Sequence, residues 1–358
     1  MFPFATLFLD SLGASAQLRT ELSSGLCLGR ISAVHGDRFR ILTDERECLG
    51  QCSGALLFRV ERASQLPAVG DWVALRDVGD GESIVESVFE RRTKFSRRAA
   101  GSREDEQIVA ANIDLALIVC SLDHDFSLRR IERYLTLMRE SGARAAIVLN
   151  KADLCGDAAA AVSQVAGIAG DASLVTTSAL HAEGIDALRQ MIVPGCTAAL
   201  VGSSGAGKST LVNRLLGVDR QRTREVREQD SKGRHTTTFR ELIPLPGGGA
   251  IIDTPGMREL QLWAGQQSLD DTFADIAELA AVCRFGDCRH STEPGCAVRA
   301  ALDAGSLDEE RWDSYGKLRA EIAWHGRRAD VAAALAAKQH AKRMCKAQQL
   351  AYRARRRD

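Results

Sequence analysis

Gly202-Ser203-Ser204-Gly205-Ala206-Gly207-Lys208-Ser209 is a glycine-rich run closing on Lys-Ser, set between the apolar stretch Ala198 to Val201 and the helical stretch Thr210 to Leu216. Strand, loop and helix in that order build a phosphate cradle. The glycines leave room for backbone N–H groups to close around phosphate oxygens. Lys208 is then the cation that meets the β/γ charge, and the Ser209 hydroxyl is a ligand for Mg2+. The nucleotide-contacting set on this side runs from Gly202 through Thr210.

Which base the cradle serves is decided elsewhere. Asn150-Lys151-Ala152-Asp153 follows the apolar run Ala143 to Leu149. A carboxylate at Asp153 accepts from the N1–H and N2 amino group of guanine, whereas adenine would leave that buried carboxylate unpaired. Asn150 is placed to hold the adjoining loops, and the Lys151 stem to lie over the ring. Ser178 and Ala179, after the run Leu174 to Thr177, are small enough for backbone N–H groups to approach the guanine O6. Alone, Asn150 or Asp153 would also suit a plain turn or helix cap.

Asp253-Thr254-Pro255-Gly256 follows the apolar run Ala250 to Ile252 and supplies a carboxylate that holds Mg2+ through water, with the Gly256 N–H facing the γ-phosphate. Before it, Gly233-Arg234-His235-Thr236-Thr237-Thr238 is preceded by a charged run with nothing to bury, as a nucleotide switch requires, and Thr237 is the second hydroxyl expected on Mg2+. Ras-like GTPases place the base reader after the phosphate loop. Here it comes first, so the domain is circularly permuted.

Cys283, Cys288, His290 and Cys296 are spaced C-x4-C-x-H-x5-C. Three thiolates and one imidazole without a carboxylate suit a closed, tetrahedral structural Zn2+, one per chain; the alternative is free thiols in a loop. Cys27, Cys48, Cys52, Cys120, Cys155, Cys196 and Cys345 read as isolated small hydrophobes.

These groups need scaffolds. The 358 residues, 38.7 kDa, are enough for two or three domains. A composition of 45% hydrophobic and 26% charged residues excludes collagen-like and wholly disordered chains, and no uncharged apolar run approaches the ~20 residues of a membrane span. Residues 1–25 form an N-terminal segment that makes a poor export signal, which points to the cytoplasm. Residues 26–95 carry short β-like runs (Arg30 to Val34, Phe39 to Thr43, Ala55 to Val60, Trp72 to Leu75, Ser83 to Phe89) and are expected to close into an OB-like barrel. Residues 96–106 read as a basic linker, 107–262 as the permuted α/β GTPase domain, 263–350 as an α-helical zinc-binding domain with helices over Asp270 to Val282 and from Asp308 to about Gln349, and 351–358 as a basic tail. The chain is neutral overall, yet from Lys317 to Asp358 twelve basic residues face three acidic ones, a footprint of nucleic-acid binding or of a solvated basic helix.

The permuted motifs, Gly233-Arg234-His235-Thr236-Thr237-Thr238, the barrel and the cysteine spacing together resemble the ribosome-small-subunit-dependent GTPase A family (RsgA, also called YjeQ). The resemblance implies a monomeric GTP hydrolase that binds the small ribosomal subunit and its rRNA through the barrel and zinc domain late in maturation. It implies faster hydrolysis there than alone and departure on hydrolysis. Met257 stands where many GTPases have a water-orienting Gln, and the resemblance offers His235 for that role; a solvated or RNA-facing His235 is the alternative. A nucleotide-gated RNA-binding module and an ATP-dependent kinase or ATPase are the competing readings, the latter disfavoured by Asp153.

Overall fold

The structure, a computed structural model, describes residues 8–98, 106–217, 240–253, 265–324 and Arg327. Five strands, β1 (Cys27–His35), β2 (Arg38–Leu42), β3 (Glu47–Cys52), β4 (Trp72–Gly79) and β5 (Glu82–Val88), make the barrel. β1 pairs with both β2 and β4, β2 with β3, β3 in parallel with β5, and β5 with β4, so the ring closes without a free edge. Ile31, Phe39, Ile41, Val73, Leu75 and Val85 fill it. The expected strand at Ala55 to Val60 is a helix, Gly54–Arg59, because Ser53 caps it with its Oγ accepting the Leu56 N–H at 3.1 Å. The third strand lies just upstream, where buried Cys48 and Gly50 alternate with exposed neighbours.

The basic stretch read as a linker is in part a second sheet. β6 (Lys94–Arg98) pairs antiparallel with β7 (Glu106–Ala111), whose residues 108–111 are buried. A Lys94–Glu106 ion pair at 2.7 Å joins the two, and long-range pairing of this kind leaves no periodicity in the basic strand.

β8 (Leu115–Ser121), β9 (Arg144–Asn150), β10 (Ser173–Thr176), β11 (Thr197–Val201), β12 (Glu241–Pro244) and β13 (Ala250–Asp253) follow in the order β10-β9-β8-β11-β13-β12. All are parallel except β12, antiparallel to β13. Strands buried on both faces explain their near-continuous apolar runs. Helices Leu128–Ser141 and Ala158–Ala169 pack on one face through Ile131, Leu135 and Val165, and Ile185–Met191 and Lys208–Leu216 on the other through Leu188, Leu211 and Leu215. This is the doubly wound arrangement, with the strands' carboxyl ends along one rim.

β12 also pairs with β1 of the barrel at Ala33 and Glu241, and Arg40 bonds Glu241 at 3.0 Å, so barrel and domain share one eleven-stranded sheet. The N-terminal segment seals this junction. Leu9 and Leu12 are fully buried, and the Ser11 carbonyl accepts the N–H groups of Gly195 and Gly249, each at 2.8 Å. Arg30, buried in the same place, donates to the Leu12 carbonyl, to Asn112 O at 3.2 Å and to Thr197 Oγ1 at 2.8 Å, with Trp72 against its guanidinium face. Burial brings its pKa down to about 10, and it keeps its charge at neutral pH.

Beyond the sheet, helices Gln266–Thr272, Ala274–Ala281, Ala297–Asp303 and one over 309–324 complete the C-terminal part. The expected single helix over Asp270 to Val282 is broken at Phe273, whose ring turns fully into the core. These helices dock on Leu128–Ser141: the buried Glu132 carboxylate accepts from Arg311 at 2.7 Å and Ser314 Oγ at 2.5 Å, and Arg133 pairs with Glu321 at 2.6 Å. The helical run beyond 324, Arg327 apart, and the tail 351–358 lie outside the described residues.

Candidate nucleotide and metal sites

The phosphate loop leaves β11 at Gly202 and enters the helix Lys208–Leu216 through Gly207, both with positive φ. A Cβ on Gly207 would stand 2.2 Å from Asn150 Nδ2, so only glycine lets the base-reading segment approach the loop. That approach is used: Asn150 Nδ2 donates to Ala206 O at 2.8 Å. Lys208 Nζ donates to the carbonyls of Gly202 and Ser203 at 2.8 and 2.6 Å, which holds the ammonium over the loop. Ser204, Gly205, Ser209 and Thr210 complete the run from loop into first turn.

Asn150 ends β9 with its side chain buried, and its Oδ1 accepts from Thr177 Oγ1 at 3.0 Å and from the Ala179 N–H at 3.1 Å. One amide thus joins three loops, and Arg214 holds the outermost by donating to Ala179 O and Leu180 O. Lys151 adopts a left-handed conformation at φ 62°. Asp153, expected buried, is exposed at the rim, its carboxylate accepting from Ser178 Oγ at 2.5 Å. That bond holds its pKa below the ordinary carboxylate value. The rim placement leaves the carboxylate edge open to a base arriving from solvent.

Residues that motif reading missed lie on the turn after β8. Asp123 accepts from Ser121 Oγ at 2.8 Å and the Asp125 N–H at 2.9 Å, and pairs with Lys151 Nζ at 2.8 Å. Burial pushes this carboxyl up, but the Lys151 ammonium and the two hydrogen bonds outweigh it and hold it at about 2. Asp125 accepts from Ser203 Oγ at 2.7 Å and pairs with Arg130 at 2.6 Å; these bonds keep it ionised too. With Tyr134, Ser204 and Gly205 they line a cavity of about 540 Å3. The available signal was Asp123-His124-Asp125 at the carboxyl end of a parallel strand, the rim where α/β sheets bind ligands.

Asp253 ends β13 in register with Leu200 of β11, which brings it beside the start of the phosphate loop. Gly256, His235 and Thr237, together with Thr254, Pro255 and Met257, lie outside the described residues.

Cys283, Cys288, His290 and Cys296 come together with their ligand atoms all within 4.8 Å of one another, a group that could hold a metal ion. His290 Nδ1 lies 3.5 Å from the sulfurs of both Cys283 and Cys296, which are 3.9 Å apart. Trp312 stands edge-on to the His290 ring at 5.8 Å. Glu293, another residue the spacing did not single out, accepts the N–H groups of Arg289, Ser291 and Thr292 at 2.9–3.0 Å and shapes the loop. Those bonds hold its pKa at about 2. No other cluster of three or more potential metal ligands occurs among the described residues, and no helix among them is long and apolar enough to cross a membrane.

A family model described as RsgA GTPase matches residues 88–263. The chain is 49% identical over 329 residues to the small ribosomal subunit biogenesis GTPase RsgA of Opitutus terrae, covering 89% of this chain and 90% of that one. It is 45% identical to RsgA 2 of Lactiplantibacillus plantarum, covering 90% and 91%. Among solved structures, YjeQ of Thermotoga maritima superposes with a TM-score of 0.63 at 25% identity over 83% of this chain and 98% of that one. YloQ, described as a circularly permuted GTPase, gives 0.59 at 25% identity over 84% and 96%.

Proposed function

The chain belongs to the RsgA family of GTPases and is a GTP hydrolase; from that premise we propose that it acts in the maturation of the small ribosomal subunit, binding rRNA and leaving on hydrolysis. Asn150 carries the site assignment: a single buried amide fastens the phosphate loop to both base-reading loops, so that one guanine nucleotide spans them.

Asp153 takes the guanine edge while Lys151 covers its face, with Ser178 and Ala179 closing the O6 side. The loop Gly202–Gly207 surrounds the phosphates. Lys208 moves its donors from loop carbonyls to the β/γ oxygens, where charge develops in the transition state. Ser209, Asp253 and Thr237 would hold Mg2+, directly or through water, and the ion supplies charge neutralisation on the phosphates when bound. Gly256 contacts the γ-phosphate, and His235 orients the attacking water in place of the Gln that Met257 replaces.

Three thiolates and an imidazole without a carboxylate support reading the cysteine cluster as a zinc site. Tetrahedral zinc with Zn–S of about 2.3 Å and Zn–N of about 2.0 Å sets ligand atoms roughly 3.5–3.8 Å apart; the edges among Cys283, His290 and Cys296, at 3.5, 3.5 and 3.9 Å, are close to that, and Cys288 lies within 4.8 Å of all three. Cys283, Cys288, His290 and Cys296 would hold one ion per chain, fixing the loop that meets rRNA. The barrel and the basic C-terminal stretch supply further phosphate contacts, in a monomeric cytoplasmic protein.

The test is phosphate release from GTP with and without purified small subunits, for the wild type and His235→Ala. Stimulation by small but not large subunits is expected, cut by about 10-fold or more in the variant while GTP affinity and co-sedimentation hold. Absence of stimulation by small subunits would reject the ribosomal role, and full stimulated turnover in His235→Ala would reject that residue's part.

A further inference from the structure

We propose that Asp123 and Asp125 are positioning residues of the nucleotide site, one fixing the base-covering Lys151 and the other fixing the phosphate loop through Ser203. The inference rests on the reading of these two elements as a GTP site.

The two carboxylates sit two residues apart on the turn that follows β8 and reach in different directions. Asp123 is nearly buried, with 13% of its side chain exposed, and its Oδ2 meets Lys151 Nζ at 2.8 Å. Its Oδ1 is fastened within the turn by Ser121 Oγ and the Asp125 N–H. An ion pair whose acceptor is itself held by two donors restricts the lysine far more than an exposed pair does. Lys151 needs that restriction because its backbone is left-handed, a conformation non-glycine residues keep only when neighbours enforce it. A freed ammonium would swing toward water and carry its stem off the base.

Asp125 does the corresponding work on the other side. Ser203 donates its hydroxyl to Asp125 Oδ2 at 2.7 Å, and its carbonyl accepts Lys208 Nζ at 2.6 Å. The residue therefore ties the start of the phosphate loop to the turn, and losing the Asp125 bond would loosen the loop from which Lys208 reaches the phosphates. Arg130 keeps Asp125 in place through both the carboxylate, at 2.6 Å, and the Asp125 carbonyl, at 3.0 Å. Each aspartate acts through a residue of the nucleotide site, Asp123 through Lys151 and Asp125 through Ser203.

Double-mutant cycles separate this role from general support of the fold. Nucleotide affinity is read with fluorescent GDP and GTP analogues and turnover by phosphate release at saturating GTP. Asp123→Asn is expected to weaken GTP and GDP binding alike, by about 10-fold, the loss expected of one charge-assisted contact, while kcat stays near wild type. In a Lys151→Met background the same substitution should change affinity less than twofold. Asp125→Asn is expected to lower kcat about 10-fold with GDP affinity within twofold, and to lose that effect in a Ser203→Ala background. Should an aspartate variant fail to fold by circular dichroism, Ser203→Ala alone tests the phosphate-loop half: it should reproduce the kcat loss with GDP binding kept. Full effects of Asp123→Asn and Asp125→Asn in the absence of their partners would overturn the assignment, as would unaltered kcat in Ser203→Ala. Failure of the wild type to bind GTP would instead overturn the reading of the site itself.

Discussion

Replacing Asn150 by alanine removes a side chain that ties its own loop to the phosphate loop and to the loop over 177–179. Its amide is 1% exposed and makes three hydrogen bonds, to Ala206 O, Thr177 Oγ1 and the Ala179 N–H, at 2.8, 3.0 and 3.1 Å. At about 1 kcal/mol net for each bond, with a further penalty of roughly 1 kcal/mol for partners left without water, the loss comes to about 4 kcal/mol. Part of it falls on folding and part on binding, since nucleotide contacts would re-order the freed loops. If half appears in binding, the Kd for GDP rises roughly 30-fold. Titration with a fluorescent GDP analogue and urea unfolding of the same protein measure the two shares. Gly207→Ala approaches the same amide from the other side, because its Cβ would lie 2.2 Å from Asn150 Nδ2 at a φ of +93°. In that background Asn150→Ala should cost less than about 1 kcal/mol, the amide having already been displaced. GDP binding within twofold of wild type, together with an unfolding free energy lowered by under about 1 kcal/mol, would refute the reasoning.

Three further outcomes are expected. Metal analysis should find about one zinc per chain, and Cys288→Ser should lower both the metal content and the thermal midpoint of the C-terminal helices; a fully folded, metal-free wild type would contradict this. The Asp123 carboxyl is depressed to about 2 in the folded protein, so its contribution is present above the unfolded value of about 3.9 and fades as pH falls through 2. The stability gap between wild type and Asp123→Asn, on the order of 2 kcal/mol at pH 7, should therefore stay constant to about pH 5 and be roughly halved at pH 3 in urea titrations; a gap undiminished at pH 3 rejects the pairing. Arg311→Ala leaves Glu132, 2% exposed, without its cation and should destabilise by about 3 kcal/mol, with partial recovery when Glu132→Gln is added. Hydrogen exchange in residues 266–281 reports the undocking, and unchanged protection there would count against it.

Much of this was legible because the chemistry is contiguous. A phosphate loop and a base reader each need a fixed local order, and strands buried on both faces announce themselves as unbroken apolar runs. The misread parts depend on distant partners or on single caps. Residues 54–59 are apolar enough to pass for a strand, yet Ser53 supplies the cap and Leu57 and Phe58 remain exposed, so there is no buried face to alternate against. β6 buries Phe95 in the core, and its pairing partner and an ion pair hold the basic remainder. Asp123 and Asp125 look like ordinary turn residues until folding brings Lys151, 28 positions from the first, and Ser203, 78 from the second, within bonding distance.

The shared sheet at β1 and β12 bears on how the protein can be divided. Cutting between barrel and GTPase part would strip Ala33 and Arg40 from Glu241, and it would leave Arg30 a charged plug without Asn112 and Thr197. The N-terminal segment complicates the cut further, since Ser11 caps the loops at Gly195 and Gly249 while Leu9 is anchored to Asp44 of the barrel. An excised GTPase fragment therefore needs residues 8–20 supplied in trans, and an excised barrel inherits a guanidinium it cannot solvate. Severing the chain between β13 and the helix Gln266–Thr272 parts instead a mixed face on Leu128–Ser141, where Leu269, Phe273 and Ile276 share the core of Ile131 and Leu135 beside the ion pairs of Glu132 and Arg133, so that apolar area and charge both drive re-association. Split-protein complementation should work across that face and fail across the sheet.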